Sequence, residues 1–267
     1  MALYFKTIRS SSSGNCLALW TEKSHVLIDC GFNSQISCER ALGAHLHDCP
    51  QPNAVVVTHN HVDHISYSSL RMLEKYGLPL RIHEDSIKQL EEKHFRGHTF
   101  NGLKLKPFSS DGFEVGQLRF QPINVPHQAR YPTYGFMIEC RDKDLRYKVV
   151  VASDLYDGRV LLDYLVDADF IYIESNHDPD LLNLYPNPNS HFHMSNPRTA
   201  ELLYNARAKS KRMPRAVMLG HLSYIRNETM LALRSVRDVF RKAGRKLDYK
   251  IYVAPRYEAS RNVAIIP

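Results

Sequence analysis

The chain has 267 residues, of which 43% are hydrophobic and 24% are charged, as in ordinary globular proteins. This length suits one large α/β domain or two small ones, and it is enough to bury a substantial hydrophobic core. No apolar run approaches the roughly 18 residues of a spanning helix, so we expect no membrane insertion. Lys6 and Arg9 interrupt the first apolar stretch, which argues against a signal peptide and for a cytoplasmic location.

The formal charge of +7 is unevenly distributed along the chain. Residues 196–261 carry 16 lysines and arginines against five acids, a net charge of +11, whereas the rest of the chain carries −4. Such asymmetry favours a polyanionic partner such as nucleic acid. A solvated basic surface on a protein of another function remains the alternative, because charge alone discriminates weakly.

The five cysteines are odd in number, irregularly spaced and without a C-x-x-C pair. We therefore expect reduced thiols in a reducing compartment, and neither a disulfide nor a structural zinc site.

The first third of the chain predicts β-strands over residues 2–8, 16–20 and 25–29, with a turn at Arg9–Asn15. Residues 54–58 are apolar on both faces, which is typical of a strand buried in the middle of a sheet. The strand that ends at residue 29 finishes on an aspartate, and the one that ends at residue 58 leads directly into a cluster of histidines.

The helices are predicted from their end signals. One runs from Ser66 to Tyr76 and stops at Gly77. Ser195-Asn196-Pro197 places a cap residue just before a proline in the first turn, which is a good helix start. Asn227 is expected to cap the last helix, which ends at Gly244.

Three more buried strands each end on a polar side chain. They cover residues 148–154, 169–174 and 216–221, and they end on Asp154, Glu174 and His221. Because strands alternate with helices here, we expect an α/β layered fold in one domain, residues 1–267, with the site at the carboxyl edges of the strands.

The histidine cluster carries the clearest chemistry. Four metal-ligand side chains fall within six positions, directly after a buried strand: His59, His61, Asp63 and His64. Residues two apart in an extended segment point the same way, so two imidazoles can bind one ion while the next two residues turn toward a second. Imidazole and carboxylate together suit Zn²⁺, with Mn²⁺ or Fe²⁺ as alternatives.

The segment T-H-N-H-V-D-H-I resembles the T-H-x-H-x-D-H signature of the metallo-β-lactamase superfamily. The resemblance extends over residues 1 to about 228 and implies a four-layer αβ/βα sandwich with two divalent metal ions. It implies that the first ion is held by His59, His61 and His127, the second by Asp63, His64 and His221, and that Asp154 bridges both. Asp29 matches an aspartate that supports the histidine loop in that superfamily, and Glu174 is expected to support the site from behind the ligands.

A narrower resemblance is to the YycJ/WalJ group of nuclease-like relatives of ribonuclease Z. It rests on four motifs: S-S-S-S-G-N-C, I-E-S-N-H-D, H-M-S-N and H-L-S. This chain departs from the group at His127-Gln128, usually His-Asp, and at Ser153-Asp154-Leu155-Tyr156, usually Thr-Asp-Thr-Gly. Neither departure removes a ligand, but both change the rim of the site. The 66 residues between Asp154 and His221 leave no room for a β-CASP insertion.

The expected mechanism follows from two cations about 3.5–4 Å apart, which hold a bridging hydroxide for in-line attack on phosphorus. Asp63 and Asp154 are then expected to take part in catalysis by holding these metal ions. His193 resembles the histidine of ribonuclease Z that faces the scissile phosphate and binds no metal, so we expect it to serve the leaving oxygen; the alternative is a histidine that caps the following helix.

The resemblance implies a DNA exonuclease acting at the 5′ end. An RNA-processing nuclease, a small-molecule hydrolase (thioester, lactone or cyclic phosphodiester) and a non-catalytic nucleic-acid-binding relative are the alternatives. The oligomeric state is left open. Candidate substrate-binding residues are Asn176, Ser195, Asn196, Arg234, Arg237 and Arg241. Residues 183–189 are read as a loop, and His83, His94 and His98 as ordinary histidines away from the site.

Overall fold

Two seven-stranded sheets face each other in the computed structural model of the chain, which describes residues 2–47, 49–142 and 145–266. The strands are β1 (Leu3–Ser11), β2 (Gly14–Trp20), β3 (His25–Ile28), β4 (Ala54–Val56), β5 (Leu80–His83), β6 (Leu105–Phe108), β7 (Phe113–Val115), β8 (Leu118–Asn124), β9 (Tyr134–Asp142), β10 (Leu145–Ala152), β11 (Phe170–Glu174), β12 (Ala216–Gly220), β13 (Lys250–Val253) and β14 (Val263–Ile266). The first sheet has the order β14-β1-β2-β3-β4-β5-β6, and the second β13-β12-β11-β10-β9-β8-β7.

Helices cover the outer face of each sheet. They are α1 (Gln35–Leu46), α2 (Tyr67–Tyr76), α3 (Ile87–His94), α4 (Leu162–Leu165), α5 (Pro179–Leu184), α6 (Asn196–Lys209) and α7 (Thr229–Lys242), with 3-10 turns at Glu84–Ser86, Arg159–Leu161 and Pro188–Phe192. One apolar cluster fills the space between the sheets, and one lies between each sheet and its helices. The prediction of a four-layer αβ/βα sandwich is confirmed.

The inner core is built by alternation along the strands. In β1, Leu3 and Phe5 point into it, and the Phe5 ring lies 4.6 Å from that of Phe170 and 5.7 Å from that of Tyr172, centre to centre. Because side chains of a strand alternate between faces, the residues between them turn toward the helices or solvent. The contact between Phe5 and β11 therefore joins the two sheets directly.

Each sheet is half antiparallel and half parallel. Strands β3 to β6 run parallel to one another, and so do β10 to β13. The carboxyl ends of these parallel runs deliver polar side chains, and three of those residues have left-handed backbone: Asp29 (φ 62°), Asp154 (φ 58°) and His221 (φ 53°). Non-glycine residues in this region are strained by about 1–3 kcal/mol, and such strain concentrates at functional sites.

Two local predictions were wrong. The expected turn at Arg9–Asn15 is mostly strand: β1 continues to Ser11 and β2 begins at Gly14, because Ser10 and Ser11 pair with Asn15 and Gly14 across a tight hairpin. Asn227 does not cap the last helix, since the cap residue of α7 is Glu228. The Asn227 side chain is buried instead and donates to the carbonyl of Ser175 at 2.7 Å.

Other predictions match the structure. Ser66 caps α2 by accepting a hydrogen bond from the Ser69 amide, and Gly77 ends that helix with a left-handed φ of 61°. Residues 183–189 are only partly a loop, since they include the end of α5 and the start of the 3-10 turn Pro188–Phe192. Among the described residues, no helix has the length and apolar character needed to cross a bilayer.

Candidate metal centre

Seven side chains from both halves of the chain converge at the carboxyl edges of the sheets. Atoms able to bind metal from His59, His61, His127 and Asp154 lie within 4.8 Å of one another, and so do those of Asp63, His64 and His221. All seven residues that the resemblance implies are therefore brought together, in two groups of the implied composition.

Four of the ligand histidines hold their rings in the same way. Nδ1 of His64 donates to the Asp29 carboxylate at 2.7 Å, and Nδ1 of His221 donates to Glu174 at 3.0 Å. Nδ1 of His59 contacts the Thr58 hydroxyl at 3.0 Å, and Nδ1 of His127 donates to the Phe192 carbonyl at 3.1 Å. Each ring thereby leaves Nε2 as the ligand atom, which is the usual arrangement of metal-binding histidines.

Four of the inward atoms of this cage lack hydrogen-bond partners in the structure. They are the Nε2 atoms of His59, His127 and His221 and the Oδ2 atom of Asp154, and all four are buried. Buried polar atoms are nearly always paired, so four orphans pointing into one space indicate an absent group that would bind them. Their chemistry, imidazole nitrogen and carboxylate oxygen, fits divalent metal ions.

Asp154 lies between the two groups. Its carboxylate oxygens are 3.0 Å from Nε2 of His64, 3.6 Å from Nε2 of His221 and 3.9 Å from Nε2 of His127. Burial alone would raise the pKa of Asp154, but the positive charges of His221 and His64 hold it well below its ordinary value. The carboxylate is therefore ionised, which is the form that can bind a metal ion.

Glu174 is a second buried carboxylate, and its hydrogen bonds are all to neighbouring protein groups. Its Oε2 atom accepts from Nδ1 of His193 at 3.0 Å, from Nδ1 of His221 at 3.0 Å and from the Asp154 amide at 3.0 Å, while Oε1 accepts from the Met194 amide at 2.7 Å. Burial would raise its pKa, yet the charges of His193 and His221 lower it to about 2. One carboxylate thus orients a metal-type ligand, the bridging residue and His193.

His193 lies beside the two metal groups without belonging to the seven ligands. Its Nδ1 is 3.7 Å from the Asp154 carboxylate, and its side chain remains 16% exposed. Burial would lower its pKa, but the Glu174 carboxylate raises it above the ordinary histidine value. The raised pKa favours the protonated imidazole, and because Nδ1 is held by Glu174, Nε2 is the nitrogen left to act as a proton donor.

Several supporting residues were not predicted from the sequence. Asn15 donates to the Asp63 carboxylate at 3.2 Å and to its carbonyl at 3.3 Å. A Cβ on Gly31 would stand 1.7 Å from the Asp63 carbonyl oxygen, so only glycine permits this packing. The G-N of S-S-S-S-G-N-C and the glycine that follows Asp29-Cys30 were the available signals, because both occur at the ends of predicted strands.

His94, which was predicted to be an ordinary histidine, belongs to none of the metal-type groups but supports the histidine loop. It is buried, and its Nε2 donates to the carbonyl of Asn60 at 2.9 Å, within the histidine loop. The Asn60 side chain in turn donates to the Ser86 carbonyl at 2.7 Å. No sequence signal links residues 60 and 94, because the contact depends on how α3 packs against the loop.

The predicted substrate residues are placed differently from one another. Ser195 lies with His177, His193 and Arg198 along a groove of about 840 Å³. Asn176 is buried and donates to the His221 carbonyl at 3.0 Å. Asn196 is fully buried and exchanges hydrogen bonds with Ser175 and Asn227, so its side chain does not face the groove.

The arginines of α7 lie on an exposed face: Arg234, Arg237 and Arg241. Strand β12 runs toward the metal centre, so α7 runs away from it and Arg234 is the nearest of the three along the helix. Arg241 comes 12 residues after the first helical residue, about 18 Å along the axis. It also pairs with Asp238 at 2.8 Å.

Known proteins with similar sequences and folds identify the family of the chain. Residues 24–221 match the family described as Beta-lactamase superfamily domain. The chain is 28% identical to the exodeoxyribonuclease WalJ of Streptococcus pneumoniae serotype 2, over 93% of each chain. It is also 28% identical to the exodeoxyribonuclease YycJ of Bacillus anthracis, over 70% of this chain and 68% of that one.

Among solved structures, the metallo-β-lactamase fold protein YhfI of Bacillus subtilis superposes with a TM-score of 0.70 at 16% identity, covering 97% of this chain and 99% of that one. The predicted similarity to the YycJ/WalJ group is confirmed, as is the prediction of a metal-dependent hydrolase. The chain belongs to the β-lactamase superfamily.

Proposed function

We propose that the chain is a DNA exonuclease that acts at the 5′ end and uses two divalent metal ions, with zinc favoured and manganese or iron as alternatives. The observation that carries the metal part is the set of four orphaned, buried atoms that point into one space between the sheets. The support for nuclease activity is the similarity over 93% of the chain to a protein named exodeoxyribonuclease.

Two ions bound in this cage would supply an activated water and neutralise charge on a phosphate. His59, His61 and His127 would hold the first ion and Asp63, His64 and His221 the second, with Asp154 available as a ligand to both. The chain's own contribution is orientation: Asp29 and Glu174 hold two of the imidazoles through Nδ1 and keep Nε2 directed inward.

We assign to His193 the role of donating a proton to the leaving oxygen. Its Nδ1 is committed to Glu174, so the proton on Nε2 is the one available to a bound phosphodiester. Its side chain is the exposed member of this buried hydrogen-bond group and lines the groove next to Ser195. A general acid in this position contributes about 10²–10⁴-fold to the rate.

The rim beyond His221 favours nucleic acid over a small substrate. Tyr224 and Tyr257 are 67% and 56% exposed, and their ring centres are 6.2 Å apart. Arg256 lies 5.8 Å from the Tyr224 ring centre, and Arg9 lies 5.8 Å from that of Tyr257. Exposed aromatic rings flanked by arginines suit stacked bases and the phosphates between them.

The arginines of α7 are a second basic surface. Arg234 and Arg237 are exposed on one face of the helix, and we assign them contacts with phosphates farther from the cleavage point. Ser195 lines the groove, and we assign it a contact with the terminal nucleotide. Asn176 is buried, and its role is to support the backbone of His221.

The test incubates the purified chain with Mn²⁺ or Zn²⁺ and with single- and double-stranded DNA and RNA labelled at the 5′ or the 3′ end. We expect mononucleotides released from the 5′ end of DNA. A ladder of internal products would contradict exonuclease action, faster cleavage of RNA would assign the chain to RNA processing, and hydrolysis of thioesters or lactones without any nuclease product would favour a small-molecule hydrolase.

A further inference from the structure

A second group of metal-type side chains lies outside the metal centre, on the outer side of the first sheet. It consists of His25 at the start of β3, His45 in the last turn of α1, and Cys49 in the segment after that helix. His25 and His45 are buried, and Cys49 is half-buried. We propose that His25, His45 and Cys49 form a separate binding site for one zinc ion, contrary to the expectation, from the number and spacing of the cysteines, that no structural zinc site is present.

The distances between the three ligand atoms fit a single ion. Nε2 of His25 is 3.2 Å from Nε2 of His45, and Sγ of Cys49 is 3.3 Å from Nε2 of His45. Tetrahedral zinc, with bonds of about 2.0–2.1 Å to nitrogen and about 2.3 Å to sulfur, separates two nitrogens by about 3.3 Å and a nitrogen from a sulfur by about 3.6 Å. Both distances from Nε2 of His45 therefore match a tetrahedral ion, and all three ligand atoms lie within 4.8 Å of one another.

The orientation of His25 is that of a ligand. Its Nδ1 donates to the carbonyl of Pro50 at 2.6 Å, so Nε2 carries a lone pair and faces the other two side chains. A backbone carbonyl behind Nδ1 is a common support for metal-binding histidines. Burial lowers the pKa of His25, which keeps the ring neutral as ligation requires.

Aromatic contacts hold the side chains of this group close together. The His25 and His45 ring centres are 5.1 Å apart and nearly perpendicular, and the Trp20 ring lies 5.3 Å from that of His45. Trp20 is the one tryptophan of the chain, so its fluorescence reports on this place. The half-buried thiol of Cys49 is the side from which an ion would enter.

Zinc here would join three segments that are separate in sequence. It would cross-link the end of α1 and residues 49–53 to the start of β3. Asp29 directly follows the other end of that strand. The site would stabilise the first half of the fold without taking part in hydrolysis, and it does not depend on the proposed nuclease activity.

Cobalt provides a selective probe, because a thiolate bound to Co²⁺ gives a charge-transfer absorption and the seven side chains of the metal centre include no cysteine. We expect the full-length protein to take up one Co²⁺ per chain that produces this band and quenches Trp20. Cys49→Ser should lose the band and bind one ion fewer, while its activity on DNA stays within about twofold of the parent. Cys140→Ala, which removes a distant buried thiol, is the matched control and should keep the band.

Zinc should also raise the melting temperature of the parent protein more than that of Cys49→Ser, since an ion that binds only the folded state stabilises it. His25→Gln provides an independent variant and should weaken the band as Cys49→Ser does. A parent protein without any charge-transfer band, or a band that persists in Cys49→Ser, would overturn the proposal and leave the three residues as a hydrogen-bonded cluster.

Discussion

The two halves of the chain supply the metal centre in different ways. The first half concentrates four ligand-type residues between His59 and His64, in one loop after β4. The second half brings three, each from its own strand end: His127, Asp154 and His221. In the first half, Asp29 accepts from Nδ1 of His64, and the loop also packs tightly against Gly31. In the second half, Glu174 accepts from Nδ1 of His221 and from the Asp154 amide. Each half thus uses a buried carboxylate to orient a ligand, and the first half adds close backbone packing.

Removal of the residue common to both halves should have the largest effect. We expect Asp154→Ala to reduce the metal content from two ions per chain to fewer than one, and to reduce turnover more than about 100-fold, since even residues that only orient ligands cost 10–100-fold. Metal analysis and DNA hydrolysis measure the two effects. Asp157→Ala removes a carboxylate three residues away that pairs with Arg159, and it should behave as the parent. Two tightly bound ions in Asp154→Ala would show that the halves bind metal independently.

His193 tests the second half without touching its ligands. His193→Ala should keep both metal ions and its melting temperature but lose about 10²–10⁴-fold in turnover of DNA. The loss should shrink on a nitrophenyl phosphodiester, whose leaving group needs no proton. His191→Ala changes an exposed histidine two residues earlier and is the matched control. If metal is lost with His193, this residue is a ligand; if both substrates suffer equally, it binds phosphate rather than donating a proton.

Gly31 tests the packing that supports the first half. Gly31→Ala places a Cβ against the Asp63 carbonyl, which overpacks the loop and should lower the free energy of unfolding by about 1–3 kcal/mol. Gly43→Ala is the contrasting variant: nothing lies within 4 Å of its Cβ, and alanine in the middle of α1 should stabilise by about 0.5–1 kcal/mol. Urea denaturation of both proteins provides the comparison. Equal stability of the two variants would mean that the histidine loop shifts to accommodate the added Cβ at little cost in free energy.

The arginines of α7 should have the smallest effect. Arg234→Gln combined with Arg237→Gln should weaken DNA binding and reduce the slope of log K against log salt by roughly one unit per lost contact. Hydrolysis of the nitrophenyl substrate should be unchanged. Arg119→Gln with Arg146→Gln removes the same charge near the opposite edge of the second sheet and is the control. A salt slope that falls equally in both double variants would reflect overall charge rather than a contact.

The sequence was informative where ligands are adjacent and uninformative where they are not. The histidine loop could be recognised because four ligand-type residues follow one buried strand. Asp154 and His221 could be placed at the ends of buried strands, but their assignment as ligands, and the choice of His127, depended on the resemblance. Asp29 and Glu174 were expected as supports, and both hold an imidazole through Nδ1.

Contacts that depend on packing could not be predicted from the sequence. The contact of Gly31 with Asp63 and that of His94 with Asn60 join segments that come together only when whole strands and helices are in place. The group of His25, His45 and Cys49 spans 25 positions and includes only one recognisable helical pair, at i and i+4. The misplaced cap at Asn227 has the same origin, because that side chain is used to join Ser175 and Asn196 rather than to begin a helix.

The Nδ1 hydrogen bonds of the ligand histidines have a consequence for ion exchange. Four of the five imidazoles are linked in this way to protein atoms, so the positions of these rings do not depend on a metal ion. We therefore expect removal of metal by a chelator to leave the fold intact, and activity to return when zinc, manganese or iron is supplied again.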